Sequence, residues 1–139
     1  METKRAYKFR FYPTPEQELN LAKTFGCARF AYNYMLRQRA DAWLQRHEKI
    51  GYHETSAMLT ALKKQPEFAW LKEVSSVPVQ QSLRHLQTAF GNFFARRNKY
   101  PSFKKRDGAQ SAEYTTSAFK WTDGKLRIAY SGGADYYNI

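Results

Sequence analysis

Hydrophobic and polar residues alternate at the start of the chain. Over residues 5–12, the rings of Tyr7, Phe9 and Phe11 alternate with the cations of Lys8 and Arg10. A period of two is typical of a half-buried β-strand. The pattern therefore predicts a first strand with its rings in the core and its cations in solvent.

A helix-start signal follows this strand. Thr14-Pro15-Glu16-Gln17 combines a capping box with proline at the first helical position. It predicts a helix from Pro15 to about Thr24, which kinks or ends at Gly26. A second helical segment is expected over residues 28–46, where apolar residues recur at three- and four-residue spacing.

Further helices are predicted in the middle of the chain. Gly51 interrupts the pattern, a third helix is expected over residues 54–64, and Pro66 begins a short helical turn. The longest clear helix is predicted over residues 78–97, because apolar residues recur there at spacings of three and four. Its aromatic residues, like those of the segment before Gly51, are expected to lie in the core.

After Gly108 the residue pattern becomes typical of β-strands. Asp123-Gly124 lies between two alternating runs and predicts a β-hairpin, whereas residues 131–139 lack periodicity and are predicted to be a loose tail. The order of elements predicts an α+β fold, in which the hairpin returns to the opening strand in a small antiparallel sheet. The predicted segments are the first strand at 1–13, an inserted helical part at 14–98, a basic loop and hairpin at 99–130, and the tail at 131–139.

Composition narrows the function. Of the 139 residues, 42% are hydrophobic and 17% aromatic, which is enough apolar surface to form a core. The net charge of +11, from 23 Lys and Arg against 12 Asp and Glu, favours a polyanionic partner. Nucleic acid is the first candidate, an anionic membrane surface the second, and a basic ribosome-associated or merely soluble protein the third.

Other classes of site lack support in the sequence. Cys27 is the only cysteine, which excludes an internal disulfide and a CxxC zinc site and is typical of a cytoplasmic protein. The basic, aromatic start does not resemble a signal peptide, and no apolar run is long enough to span a membrane. The histidines lack metal-ligand spacing and the acids are scattered, so no catalytic residue, metal or cofactor is predicted.

The segment RRNKYPSFKKR, residues 96–106, is the strongest candidate for nucleic-acid contact. Six of its eleven residues are basic and none is acidic, so a bound anion would relieve their mutual repulsion. Tyr100 and Phe103 offer rings for base stacking; the alternative is a solvated linker. The predicted contacts with the nucleic-acid backbone are Lys4, Lys8, Arg10, Arg29, Arg84, Arg96, Arg97, Lys99, Lys104, Lys105 and Arg106.

A longer run of residues resembles the opening of TnpB proteins, transposon-encoded proteins long described as transposases with an N-terminal helix-turn-helix. The resemblance covers about residues 5–128. The matching elements are the strand ending in Tyr12-Pro13, then Gln17, Gly26, Ala28-Arg29-Phe30, Tyr32-Asn33, Tyr52, Leu59, Trp70-Leu71, Gln80, the helix over 83–94, and Pro101-Ser102-Phe103-Lys104.

The resemblance implies an RNA-guided DNA endonuclease, with guide RNA and target DNA as partners and no membrane or small-molecule substrate. It implies a wedge-type β-barrel interrupted by a helical recognition lobe. It also implies that Tyr52, Ser56 and Gln80 lie where family members approach a short DNA motif. In the family a RuvC-like nuclease domain, usually with a zinc ribbon, follows. Since this chain ends before them, we expect a truncated member that is inert alone, with the missing nuclease half as a further partner.

Two other functions stay open. Residues 14–46 are a candidate helix-turn-helix, which would make the chain a stand-alone DNA-binding regulator of transposition or transcription. A basic RNA- or ribosome-associated interaction protein is the third possibility. The polar stripe of Gln80, Arg84 and Gln87 fits base reading, with an ordinary solvated helix face as its alternative.

Overall fold

The structure is a computed structural model that describes residues 2–139. Helix α1 spans Pro15–Arg46, α2 spans Tyr52–Lys63, a 3₁₀ segment spans Pro66–Glu73, and α3 spans Ser76–Phe94. An antiparallel sheet of three strands follows, with β1 at Phe119–Thr122, β2 at Lys125–Tyr130 and β3 at Gly133–Tyr137. The predicted α+β class is confirmed. No helix within residues 2–139 is long and apolar enough to cross a membrane.

Helix α1 runs through the glycine at which an interruption was expected. The capping box is confirmed, because the Thr14 hydroxyl accepts from the Gln17 N–H at 3.2 Å and the Gln17 Oε1 accepts from the Thr14 N–H at 3.0 Å. The predicted end near Thr24 is wrong, since the helix continues to Arg46. Buried side chains lie on both sides of Gly26 along one helix, and their burial outweighs the roughly 1 kcal/mol that glycine costs in a helix.

The main core lies where the three helices and the 3₁₀ segment meet. The apolar stripe predicted for α3 is confirmed as buried at Val79, Leu83, Leu86 and Phe90. The helix ends at Phe94 rather than residue 97, so Arg96 and Arg97 belong to the following turn. The residues that α1, α2 and the 3₁₀ segment contribute to this core are Cys27, Ala31, Tyr32, Met35, Leu36, Leu59, Leu62 and Leu71.

A smaller core joins the sheet to the N-terminal half of α1. Leu21 packs there with Ile128 of β2 and Tyr137 of β3. The predicted hairpin is confirmed, with Asp123 and Gly124 at φ of 49° and 74° in a two-residue turn. The loose tail predicted at 131–139 is wrong, because residues 133–137 pair with β2 along its length.

The opening segment does not form the predicted strand. Tyr12 alone makes a bridge to the sheet, donating its N–H to the Asn138 carbonyl at 2.7 Å. Tyr7 and Phe9 are 73% and 57% exposed, so their predicted burial is wrong, whereas Phe11 packs edge-on against Tyr137 at 5.4 Å. Alternation makes a segment amphipathic but cannot supply the partner strand that a ladder needs. The sheet of residues 2–139 is open rather than a closed barrel.

Candidate nucleic-acid interface

Three residues predicted to read a DNA motif meet where α2 and α3 begin. Tyr52 is the first residue of α2, Ser56 lies one turn later, and Gln80 lies near the start of α3. The Gln80 Nε2 donates to the Tyr52 Oη at 2.7 Å and to the Ser56 Oγ at 2.7 Å. We call these three residues the amide–hydroxyl cluster. All three are partly exposed.

The bonding within the amide–hydroxyl cluster decides what it offers a ligand. A hydroxyl that accepts a hydrogen bond keeps its own proton to donate. Tyr52 and Ser56 therefore present two O–H donors beside the Gln80 Oε1 acceptor. A bidentate pair between the Gln80 side-chain amide and adenine uses one amide N–H and would have to break one of these bonds.

The position of Tyr52 is set by how α2 begins. The Glu54 carboxylate accepts from the Gly51 N–H at 2.8 Å, and this bond lowers the pKa of Glu54. The buried Thr55 hydroxyl donates to the Gly51 carbonyl at 3.2 Å. These contacts fix the first turn of the helix, from which the Tyr52 ring extends toward α3.

Arg84 lies beside the amide–hydroxyl cluster. Its guanidinium carbon is 4.3 Å from the centre of the Tyr52 ring, in a cation–π contact. Because Arg84 is one turn beyond Gln80 on α3 and is exposed, its positive charge faces solvent next to the cluster. Two members of the predicted polar stripe, Gln80 and Arg84, therefore lie in one patch with the predicted motif residues, whereas the third, Gln87, accepts a hydrogen bond from Arg39.

The basic segment 96–106 is attached to the middle of α1. The Asn33 Nδ2 donates to the Lys104 carbonyl at 2.9 Å, and the Asn33 Oδ1 accepts from the Lys104 N–H at 2.7 Å. The Lys104 ammonium lies 4.6 Å from the centre of the Tyr32 ring. Lys104, Lys105 and Arg106 are all exposed, but Lys104 also has contacts within the chain.

Arg29 also serves the fold. Its Nη1 donates to the Gln110 Oε1 at 3.0 Å. The Gln110 Nε2 in turn donates to the carbonyls of Lys105, Arg106 and Gly108 at 3.2, 3.1 and 2.9 Å. Arg29 therefore helps to hold the end of the basic segment, in addition to any contact with a ligand.

The predicted backbone contacts fall into separate regions. Lys4, Lys8 and Arg10 are exposed on the opening segment, which contacts the sheet where Phe9 stacks on Trp121 at 4.9 Å. The other cations lie on the helices and the basic segment. Among residues 2–139, none of them is in an ion pair; the pairs join Lys23 to Glu73, Arg37 to Asp41, Arg46 to Glu48 and His85 to Glu113.

The two rings predicted to stack differ in their surroundings. Tyr100 packs edge-on against Phe90 and Phe93, at 5.5 and 5.1 Å between ring centres, and is still exposed on its other side. Phe103 is exposed within the basic segment. Tyr100 is thus oriented by the protein, whereas Phe103 projects from the loop.

One cationic pair on the sheet was missed. Lys120 of β1 lies directly opposite Arg127 of β2, and Arg127 lies opposite the exposed Tyr136 of β3. Like charges at facing positions destabilise a sheet, so an anion between them would be favourable. The Asp123-Gly124 turn contained the signal, because a two-residue hairpin fixes the register.

Comparison with known proteins identifies a domain family at the start of the chain. Residues 1–48 match the family HTH_OrfB_IS605, described as a helix-turn-helix domain. In the structure, the part of this region from Pro15 to Arg46 is one continuous helix, so the turn expected within residues 14–46 is not formed there.

Three relatives match most of the chain. Two of them are named "Putative RNA-guided DNA endonuclease". The first, from Streptomyces pristinaespiralis, is 55% identical over 129 residues, which is 92% of this chain and 32% of the relative. The second, InsQ of Escherichia coli strain K12, is 33% identical over 114 residues, which is 82% of this chain and 28% of the relative. "Virulence protein VsdF" of Salmonella dublin is 37% identical over 113 residues, which is 75% of this chain and 95% of that protein.

The chain spans about a third of the length of the first two relatives. It nevertheless covers nearly all of the Salmonella protein at more than 30% identity. Taken with the matched domain family, these relations establish the family. The chain belongs to the TnpB family, and it corresponds to the N-terminal part of that family's proteins.

Proposed function

We propose that this chain is the nucleic-acid-binding N-terminal portion of a transposon-associated RNA-guided DNA endonuclease. In this proposal it contacts guide RNA and target DNA and is inert as a nuclease by itself. The sheet is part of a wedge-type domain that further chain closes into a barrel, and the helices form the recognition lobe. The observation that carries the proposal is the amide–hydroxyl cluster, exposed beside Arg84 and hydrogen-bonded in advance of any ligand.

In this proposal the amide–hydroxyl cluster reads a short DNA motif and Arg84 holds a nearby phosphate. Two hydroxyl donors and one amide acceptor fit base edges, which present both acceptors and donors in the grooves of a duplex. A guanidinium binds a backbone phosphate whatever the sequence of the nucleic acid. The two kinds of contact therefore predict two different responses to substitution.

Motif preference tests this division. The chain is combined with its guide RNA and the nuclease half of a full-length relative, and cleavage is measured across motif variants. Gln80→Ala should change the preference by about 1–3 kcal/mol for the base it reads. Tyr52→Phe keeps the ring under Arg84 and removes only the hydroxyl, so it should change preference without a general loss of binding. Arg84→Ala should weaken all motif variants alike.

Gln81→Ala is the matched control, because Gln81 is the adjacent glutamine on α3. It should leave the preference unchanged. If Gln80→Ala and Gln81→Ala give the same preference as the unaltered complex, the amide–hydroxyl cluster does not read the motif.

The basic segment is proposed to bind phosphates without regard to sequence. Replacing both Lys105 and Arg106 by alanine should reduce the slope of log affinity against log salt by about 0.7–0.9 for each phosphate that is no longer bound. In the control variant, Arg37 and Arg46 are both replaced by alanine. These two residues carry the same total charge as Lys105 and Arg106, but they are paired with Asp41 and Glu48. Equal slopes for the two double variants would show that net charge, rather than the basic segment, determines binding.

Nuclease activity gives a separate test. We expect no Mg²⁺-dependent cleavage by this chain, with or without guide RNA, because hydrolysis by the family's route uses metal-bound carboxylates. Within residues 2–139, His, Cys, Asp and Glu side chains form no group of three that could hold a metal ion. Cleavage that survives purification and is removed by a substitution in this chain would overturn the expectation.

A further inference from the structure

A groove lined by aromatic rings lies between the C-terminal half of α1 and the end of α3. Its cavity of about 410 Å³ is within the range of small-molecule sites, which is about 300–1,000 Å³. The rings of Trp43 and Phe94, expected from their spacing to be core, are 47% and 61% exposed, so that prediction is wrong for these two. The residues that define this aromatic groove are Trp43, Lys49, Phe90, Phe93, Phe94 and Tyr100.

Four rings of the aromatic groove, those of Phe90, Phe93, Phe94 and Tyr100, support one another. Phe93 contacts Phe94 and Tyr100 with ring centres 5.4 and 5.1 Å apart, at steep angles between the ring planes. Phe90 is buried beneath them and contacts Tyr100 edge-on at 5.5 Å. This edge-to-face packing is favourable and holds the exposed rings in place.

Two cations belong to the same groove. The Lys49 ammonium is 5.7 Å from the centre of the Trp43 ring and 5.4 Å from that of Phe94, so it is close to both rings. The Arg39 guanidinium carbon is 4.1 Å from the centre of the Phe90 ring, and its Nη1 donates to the Gln87 Oε1 at 2.8 Å. Glu48, the acidic residue of the lining, is paired with Arg46 at 3.2 Å.

We propose that the aromatic groove captures one unpaired nucleobase of a nucleic-acid strand, whose phosphate is met by Lys49. Bases stack on aromatic side chains whatever their identity, and each brings a phosphate that a lysine can neutralise. An apolar protein segment would instead cover Lys49 and Arg39 without supplying a charge, which is unfavourable. The inference rests on the proposed function and adds a second, sequence-independent contact to it.

The position of the groove on α3 supports this occupant. Gln80, Arg84, Gln87, Gly91 and Phe94 follow one another at spacings of four, three, four and three, so they lie along one stripe of the helix. The stripe leads from the amide–hydroxyl cluster to the aromatic groove. At 1.5 Å per residue, Gln80 and Gly91 are about 16 Å apart along the axis, a distance that a few nucleotides can span.

Tryptophan fluorescence provides a direct test. Trp70 and Trp121 are replaced by phenylalanine, so that Trp43 is the one remaining tryptophan. Titration of this 139-residue chain with single-stranded oligo-dU or oligo-rU should quench Trp43 fluorescence to saturation. An abasic oligonucleotide of the same length keeps the phosphates and should not quench it. Comparison of oligo-dU with oligo-rU, which carry the same base on different sugars, distinguishes DNA from RNA as the source of the base.

Substitutions connect the signal to the groove. Phe94→Ala should weaken oligonucleotide binding about 5- to 150-fold, the range for removal of one stacked base. Lys49→Ala should lower the salt slope by about 0.7. Leu44→Ala, which truncates an exposed side chain on the same helix as Trp43, should change neither. Circular dichroism and the Tm verify folding, which we expect to be retained because Phe94 is largely exposed.

Equal quenching by the abasic strand, or unchanged binding by a folded Phe94→Ala variant, would overturn the base site. Loss of self-association in that variant, with oligonucleotide binding intact, would also overturn it and would assign the groove to an interface between copies of the chain. The motif preference of the reconstituted complex is measured separately. If the groove does not bind a base while Gln80→Ala still changes the motif preference, the base site is wrong and the proposed function stands.

Discussion

Gln17→Ala should loosen the attachment of the sheet to α1 while leaving the helical core intact. Gln17 is only 5% exposed although it is polar. Its Nε2 donates to the Asp135 Oδ2 and to the Tyr136 carbonyl, both at 2.8 Å, and its Oε1 completes the capping box with Thr14. One side chain thus joins the start of the first helix to the last strand.

The expected cost follows from these bonds. The bond to Asp135 is charge-assisted and contributes about 1.5 kcal/mol, the lower end of the range, because that carboxylate is exposed. The bond to the Tyr136 carbonyl contributes about 1 kcal/mol. Half of a capping box adds about 0.5–1 kcal/mol. Gln17→Ala should therefore cost about 3 kcal/mol in total, of which about 2.5 kcal/mol comes from the two bonds that dock the sheet.

Hydrogen exchange read by mass spectrometry measures this locally. Peptides covering residues 133–137 should exchange up to about 100-fold faster in the variant, since every 1.4 kcal/mol is a factor of ten. Peptides from the middle of α1, around Met35, should change little. Thr14→Ala is the control, because it removes the capping hydroxyl and keeps both bonds from Gln17 to β3; it should cost about 1 kcal/mol. Equal exchange of β3 in the two variants would refute the reasoning.

Other predictions concern the helices and the buried thiol. Gly26→Ala should raise the free energy of unfolding by about 0.5–1 kcal/mol in urea, because an added Cβ meets no atom within 4 Å; a loss of stability would contradict this. Leu83→Ala should lower it by about 2–5 kcal/mol, because Leu83 is fully buried, and a cost similar to that of the exposed Leu44→Ala would show that the core is misassigned. Burial raises the pKa of the Cys27 thiol to about 11, so alkylation at pH 8 should occur only on unfolding. Because the folded chain keeps the thiol proton to a higher pH than the unfolded chain does, the free energy of unfolding should be constant below pH 9 and should fall between pH 9 and about pH 11. Cys27→Ala should reduce this fall.

Sequence alone determined the features that depend on neighbours a few residues apart. The capping box at Thr14, the buried stripe of α3 and the turn at Asp123-Gly124 all appear as predicted. Each results from local geometry: a side chain that reaches its own helix end, a period near 3.6, or a turn that needs positive φ. The net charge of +11, which predicted a polyanionic partner, likewise follows from the sequence alone.

Tertiary structure decided where those elements found partners. Alternation did not make residues 5–11 a strand, whereas the aperiodic residues 133–137 became one because β2 and Gln17 bind them. Proximity of Tyr52, Ser56 and Gln80 was implied by family resemblance, but their hydrogen bonds appear only in the structure. Helical spacing likewise could not show that Phe94 lies beyond the end of the core. Periodicity defines a face of a helix or strand, and only the packing of distant elements determines whether that face is covered by protein or left open to a ligand.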